Sequence, residues 1–423
     1  MTSTSTPSDA ANSCSDTPSR WPATFAALRY RNYRLWFIGQ GISLMGTWMQ
    51  WVAQGWLVYE LTGSELALGI ISFFGSLPTL FLMLPAGAIA DRVSRRTLLL
   101  ATQAVMTVQA LVLALLAATG LLRVWHIAVL AAVLGLANSF DAPARMALTV
   151  DMVEDRRDLA NAVALNSSLF NMARIVGPAV GGVLLAGLGA TWCFALNGLS
   201  FLAVLIALWR MSFPPVKTAA PEPMAAQVRA GLHYVVHHEV VRAIIALVTV
   251  ASLFGLGYST LIPAYAADVL HVGETGLGTL NAVAGVGALV GSLMVASMGS
   301  FARKGRVLVA GSILFPIATI LFALSRSFAL STVVLAVLGF AFVIQTAISQ
   351  TLLQSIVPDA LRGRVLSVFS FSFFGTAPFA SLFAGSVAQA WGIPAGIGIG
   401  GGITLVFSAL LLWAVPSLVR VKA

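Results

Sequence analysis

Apolar runs of about twenty residues recur along the chain from Leu35 onward, separated by short stretches rich in Arg, Asp, Gly and Pro. A helix of about 20 residues rises about 30 Å, the thickness of a bilayer's hydrocarbon layer, so each run reads as a transmembrane helix. Twelve are predicted: 35–60, 65–90, 97–119, 126–150, 159–187, 190–211, 241–267, 275–299, 306–325, 329–354, 363–390 and 393–416. Residues 1–30 are rich in Ser, Thr and Pro and have no apolar core, which reads as a disordered tail and not a cleaved signal peptide. The longest polar connection, 212–240, holds Pro214, Pro215, Pro221 and Pro223 and then a basic amphipathic stretch. It reads as a linker whose helix lies on the membrane surface, joining six-helix bundles at 31–211 and 241–423. A weak repeat supports two halves: AVLGLANSFDAPARMAL around Gly135 aligns with AVLGFAFVIQTAISQTL around Gly339, about 204 positions later.

Composition sharpens this picture. Hydrophobic residues make up 58% and charged residues only 9%, against about 25% charged in soluble domains, which excludes a water-soluble enzyme. The formal net charge of +9 would prompt a search for nucleic acid in a soluble protein, but here loop topology accounts for it. Outside the predicted membrane interior, nearly all Lys and Arg fall on one side of the twelve-helix path; only Arg123 and Arg326 fall on the other. By the positive-inside rule both termini are expected in the cytoplasm. Cys14 and Cys193 allow no disulfide framework or zinc site, and His126, His233, His237, His238 and His271 lie in loops or the linker. No metal, cofactor, phosphate-binding loop or catalytic constellation is expected, so the energy for any work must come from a gradient.

Two motifs are informative. Gly87-Ala-Ile-Ala-Asp91-Arg92-Val-Ser94-Arg95-Arg96 follows the second segment, with a small residue for close helix approach, an acid at a helix end and three arginines for the headgroup region. It resembles the GxxxDRxGRR signature of the major facilitator superfamily, with Ser94 replacing the usual Gly. The equivalent loop of the second half keeps Arg303, Gly305 and Arg306, but Ala302 stands where the acid would be. Gly177-Pro178-Ala-Val-Gly181-Gly182 in the fifth segment resembles the GPxxGG core common among exporters of that superfamily. With the runs Asn161–Pro178, Leu57–Ser64 and VPDALRGRVLSV, the chain is similar to the enterobactin-exporter-like branch, the transmembrane secretion effectors. The resemblance implies an all-α membrane protein of two pseudo-symmetric six-helix bundles rocking around a midplane site. It implies that Asp91 meets the amino end of the eleventh helix, Pro358 to Arg364, to close an inner gate. It also implies that the fifth and eighth helices adjoin, Gly177 and Gly181 being offered to Gly287 and Gly291.

Charges within membrane segments are costly and mark candidate sites. Asp141 and Arg145 are spaced to pair along the fourth helix, and Asp141 would exchange protons if the pair faced a central cavity; Gln345 holds the repeat-related position. Arg174, midway along the fifth helix, is a candidate for attracting an anion, for pairing with Asp141 or for a structural role. The first helix is polar and aromatic, with Gln40, Thr47 and Gln54 on one face and Trp48 and Trp51 beside them. Further lining candidates are Tyr258, Asn281, Gln345 and Gln350. The expected function is export of a small amphipathic or aromatic molecule, siderophore or drug-like, across a bacterial inner membrane by proton antiport. Many proton-driven drug exporters that resemble this chain carry an acid in the first helix, whereas Thr47 and the outer-end Glu60 leave that role unfilled here. A metabolite importer of the same fold, or a non-transporting membrane sensor or lipid-handling module, are the alternatives.

Overall fold

The computed structural model describes residues 23–90, 93–211, 224–298 and 303–420. The helices of the first half are α1 (Arg31–Thr62), α2 (Glu65–Ala90), α3 (Arg95–Ala118), α4 (Val124–Asp151), α5 (Leu159–Leu188) and α6 (Ala190–Arg210). After α7 (Met224–His237), the second half holds α8 (Glu239–Val250), α9 (Tyr258–Ala264), α10 (Gly273–Ser297), α11 (Lys304–Leu324), α12 (Phe328–Ile356), α13 (Asp359–Phe374), α14 (Ala377–Trp391), α15 (Ile393–Ala414) and the short α16 (Ser417–Arg420). No strand occurs among the described residues. Eleven helical stretches are long and apolar enough to cross a membrane; α8 and α9 run as one span to Val269, and α13 and α14 as one span to Trp391. The remaining predicted segment, α1, is an unbroken helix of 32 residues, but its glutamines and polar neighbours keep it outside that set.

The repeat is visible in the packing. A Cβ on Gly135 of α4 would stand 1.9 Å from the carbonyl oxygen of Gly75 in α2, and one on Gly339 of α12 would stand 2.1 Å from that of Ala284 in α10. The two glycines that anchor the sequence alignment therefore make the same helix contact in each half. Gly189 (φ +81°, ψ +172°) and Gly392 (φ +87°, ψ +158°) close the last turn of each half in a conformation essentially reserved for glycine.

Two expected boundaries are corrected. The predicted tail reaches too far: Ala23–Arg29 forms a short helical turn whose Ala27 is fully buried and donates its N–H to Asn161 Oδ1 at 3.0 Å. Tyr30 then donates its hydroxyl to Asp158 at 2.9 Å, and Arg29 pairs with the same carboxylate at 2.6 Å, so residues 23–30 belong to the first bundle. The linker helix α7 was expected to lie on the membrane surface; it docks on protein, where a Cβ on Gly231 would meet the carbonyl oxygen of Arg364 in α13 at 2.7 Å and Val235 joins the apolar core of the second half.

That core is divided in an informative way. At the end carrying the termini, each half has its own apolar cluster, with Tyr33, Trp36, Leu99 and Leu208 in the first and Ile244, Leu308, Leu352 and Val365 in the second. At the opposite end one continuous cluster draws on both halves, from Met49, Val58 and Phe194 to Leu261, Phe322 and Ile397. The bundles are thus fused at one end. The seam is tight: Gly182 of α5 lies against Gly278 of α10, and Gly69 of α2 against Gly385 of α14, with any added Cβ within about 3.2 Å of facing backbone. Tyr59 donates to Asp268 at 2.6 Å and Ser64 to Gln389 at 2.7 Å across the same seam.

Candidate functional site

Below the fused end the bundles enclose a cavity of about 380 Å³ lined by residues of α1, α5, α9 and α10 and of the turn before α9. Residues 47, 48 and 51 fall on one face of α1 because three or four residues make one helical turn, and Thr47, Trp48 and Trp51 all line it. Tyr258, Ser259 and Asn281 contribute from the second half, and Arg174 and Pro178 from α5. Trp48 packs edge-on against Trp51 and Phe170, each ring centroid 5.9 Å away, and the Arg174 guanidinium sits 5.9 Å from a Trp48 ring centroid. That is a cation–π distance. Gln54 lines a smaller adjoining space of about 40 Å³ that shares Trp51, Ser259 and Asn281. No carboxylate lines either space.

Sequence reasoning missed Ser259. It follows a π-helical turn, Ala251–Gly255, whose extra residue rotates the chain ahead of Tyr258, and a second such turn, Tyr265–Val269, follows α9. Only the Gly255–Gly257 pair and Pro263 hint at irregularity there.

Three lining candidates are placed elsewhere. Gln40 is 5% exposed on the bundle side of α1, with its carbonyl oxygen unpaired. Gln345 is fully buried inside the second bundle, where its amide donates to Leu247 O at 3.4 Å. Gln350 is exposed but is absent from the walls of both spaces. Gln50, one residue from Trp51, turns about 100° away and joins an internal network, donating to Gln109 at 3.3 Å and accepting from Asn197 at 2.7 Å.

Asp141 is also enclosed. Its carboxylate is 2% exposed, accepts from Thr102 at 3.1 Å and Gln103 at 2.9 Å on α3, and pairs with Arg145 at 3.5 Å. The expected pair exists and faces α3, Asp141 lines neither space, and Arg174 takes no part in the pair. Asp141→Asn is expected to lower stability by about 1–3 kcal/mol, because a buried charged acceptor is lost beside Arg145. Thermal unfolding of the variant beside the parent checks this.

A family model described as transmembrane secretion effector matches residues 22–422. The chain belongs to that family of the major facilitator superfamily. The multidrug efflux pump Tap of Mycolicibacterium fortuitum is 28% identical over 84% of this chain and 87% of its own. The enterobactin exporter EntS of Shigella boydii is 26% identical over 90% of this chain and 91% of its own. Among solved structures, the nucleoside transporter NupG shares the fold, with a TM-score of 0.72 at 13% identity over 92% of this chain and 99% of its own. The family consists of membrane transporters and not enzymes, and its named relatives are exporters of drugs and siderophores.

The family motifs take definite places. Asp91 and Arg92 lie outside the described residues. Arg95 bonds Asp151 of α4 at 2.7 Å, and Arg96 donates to the carbonyls of Leu208 at 2.8 Å and Trp209 at 3.0 Å, a favourable position for a cation at the C-terminal end of α6. Gly87 was expected to admit a neighbouring helix, yet no described atom lies within 4 Å of the place its Cβ would take. The exporter-type motif is split between two partners. Gly177 and Gly181 face α1, against Trp48, Met45 and Met49, whereas Pro178 and Gly182, one position round the helix, face Gly278 of α10. Gly287 and Gly291 instead pack on Ala336 and Phe340 of α12. The adjoining of α5 and α10 holds, through different glycines from those expected.

Proposed function

We propose that this chain exports a small amphipathic or aromatic molecule from the cytoplasm of a bacterial cell by alternating access, with protons moving inward in exchange. The observation that carries this reading is the apolar core, fused between bundles at one end and separate in each bundle at the other, around a cavity drawn from both. With both termini cytoplasmic, as the basic loops suggest, the fused end faces outward and the cavity is served from the cytoplasm. The tryptophans and tyrosine supply stacking surfaces and Thr47 and Asn281 polar contacts, a mixture suited to a compact aromatic ligand. Release outward requires the Gly182–Gly278 and Gly69–Gly385 seams to part, and Asp91 with the amino end of α13 to close the opposite end. The names of Tap, a multidrug efflux pump, and EntS, an enterobactin exporter, support the direction.

Energised inside-out vesicles containing the protein are expected to accumulate an aromatic substrate while the lumen loses protons. Failure of a broad panel of siderophores and aromatic drugs to accumulate would overturn the export reading. Accumulation with no proton movement would overturn antiport alone.

A further inference from the structure

We propose that Arg174 makes the central cavity selective for an aromatic anion; this deepens the export reading and rests on it. Arg174 is the one charged side chain among the residues lining either space. No ion pair among the described residues includes it, and its guanidinium makes no hydrogen bond with them. Its described contact there is the face of Trp48, at 5.9 Å from the centroid. An arginine carries five N–H donors and no acceptor, and holding it at the depth of a membrane helix is costly without a partner. A carboxylate or sulfonate entering the cavity meets that unmet demand by a bidentate, charge-assisted pair. Its ring then meets the aromatic lining supplied by Trp48, Trp51 and Tyr258.

The position also ties charge to conformation. The backbone carbonyl of Arg174 lies at the bundle seam, 3.0 Å from where a Cβ on Gly285 of α10 would stand. The cavity that would hold an anion on the guanidinium is walled by both bundles, with Asn281 of α10 in its lining, and Arg174 lies two helical turns along α5 from the Gly182–Gly278 contact.

The test uses three naphthalenes of matched size: 1-naphthoate, 1-naphthamide and 1-naphthylmethylammonium. Binding to the purified full-length protein in detergent is measured by calorimetry, and accumulation in energised inside-out vesicles in parallel. Naphthoate is expected to bind tighter than naphthamide, and the naphthoate-to-naphthamide affinity ratio is expected to fall about ten- to hundredfold in Arg174→Gln, the value of a hydrogen bond to a charged group. Arg174→Lys is expected to recover part of the ratio, with unfolding temperatures confirming that both variants are folded. An unmoved ratio, no binding of naphthoate, or equal or tighter binding of the ammonium compound would overturn the inference. Accumulation of the ammonium compound but not naphthoate would leave export standing and remove anion selectivity. Binding of naphthoate with accumulation of none of the three would support the site, and export would be overturned if the broad panel also failed to accumulate.

Discussion

A Gly278→Leu chain is expected to insert and fold yet to lose transport by a factor of ten or more. At position 278 an added Cβ would stand 2.6 Å from the carbonyl oxygen of Pro178 and 2.8 Å from Gly182 Cα, both in the other bundle. Backbone does not yield as a flexible side chain does, so overpacking by about 1–3 kcal/mol falls on the state in which this end is fused. The state in which the bundles part there has no such contact, and the equilibrium shifts toward it by about ten- to hundredfold. The check is the alkylation rate of Ser259→Cys by a membrane-impermeant maleimide, in a chain whose Cys14 and Cys193 have been replaced, with Gly278 or Leu at the seam. The rate from the outer side is expected to rise with Leu. An unchanged rate together with normal transport would show that the seam does not open during the cycle.

Glycines inside a bundle are expected to behave differently. Gly135→Ala and Gly339→Ala each place a methyl group about 2 Å from a facing carbonyl oxygen, of Gly75 and Ala284 respectively. These contacts join helices of one bundle, so no rocking motion relieves them. Each is expected to destabilise the fold by about 3 kcal/mol or more, at the upper end of what single substitutions do, and to reduce the folded protein recovered after heating. Gly187→Ala and Gly402→Ala, where no described atom beyond the local helix backbone lies within 4 Å of the added Cβ, serve as controls and are expected to melt like the parent. Equal behaviour of all four would remove the argument from close packing.

The helices were legible because burial in lipid demands long apolar runs, and the halves because Gly135 and Gly339 recur at an interval that the packing repeats. Even α1, too polar for the apolar set, was legible as a helix with a cavity face, since Thr47, Trp48 and Trp51 lie on one side of it. The sequence pattern does not say which side of a polar helix meets the cavity. Gln50 and Trp51 are neighbours in sequence but lie about 100° apart round the axis, so one enters the Gln109–Asn197 network and the other the cavity. The same ambiguity hid the enclosure of Asp141 and Gln345, whose partners Thr102, Gln103 and Leu247 lie on other helices. Partner choice among glycines was equally hidden, because Gly181 and Gly182 are adjacent yet touch different bundles. Ser259 was missed because a π-helical turn resets the rotation of everything after it.

The fused end has an electrical consequence. From Trp51 at the cavity to Tyr59 at the seam is about 12 Å of helix at 1.5 Å per residue, against about 30 Å of bilayer hydrocarbon. In the proposed orientation the cavity is served from the cytoplasm, so most of the transmembrane voltage drops across that thin seal and the Arg174 site sits near the potential of the cytoplasm. In the proposed alternating-access cycle the seal moves to the opposite end, and the same site comes to the potential outside without any displacement of its contents. A bound anion then gains about 2.3 kcal/mol for each 100 mV of interior-negative potential, so the field that a cell already maintains does work on the cargo through the motion of the two bundles.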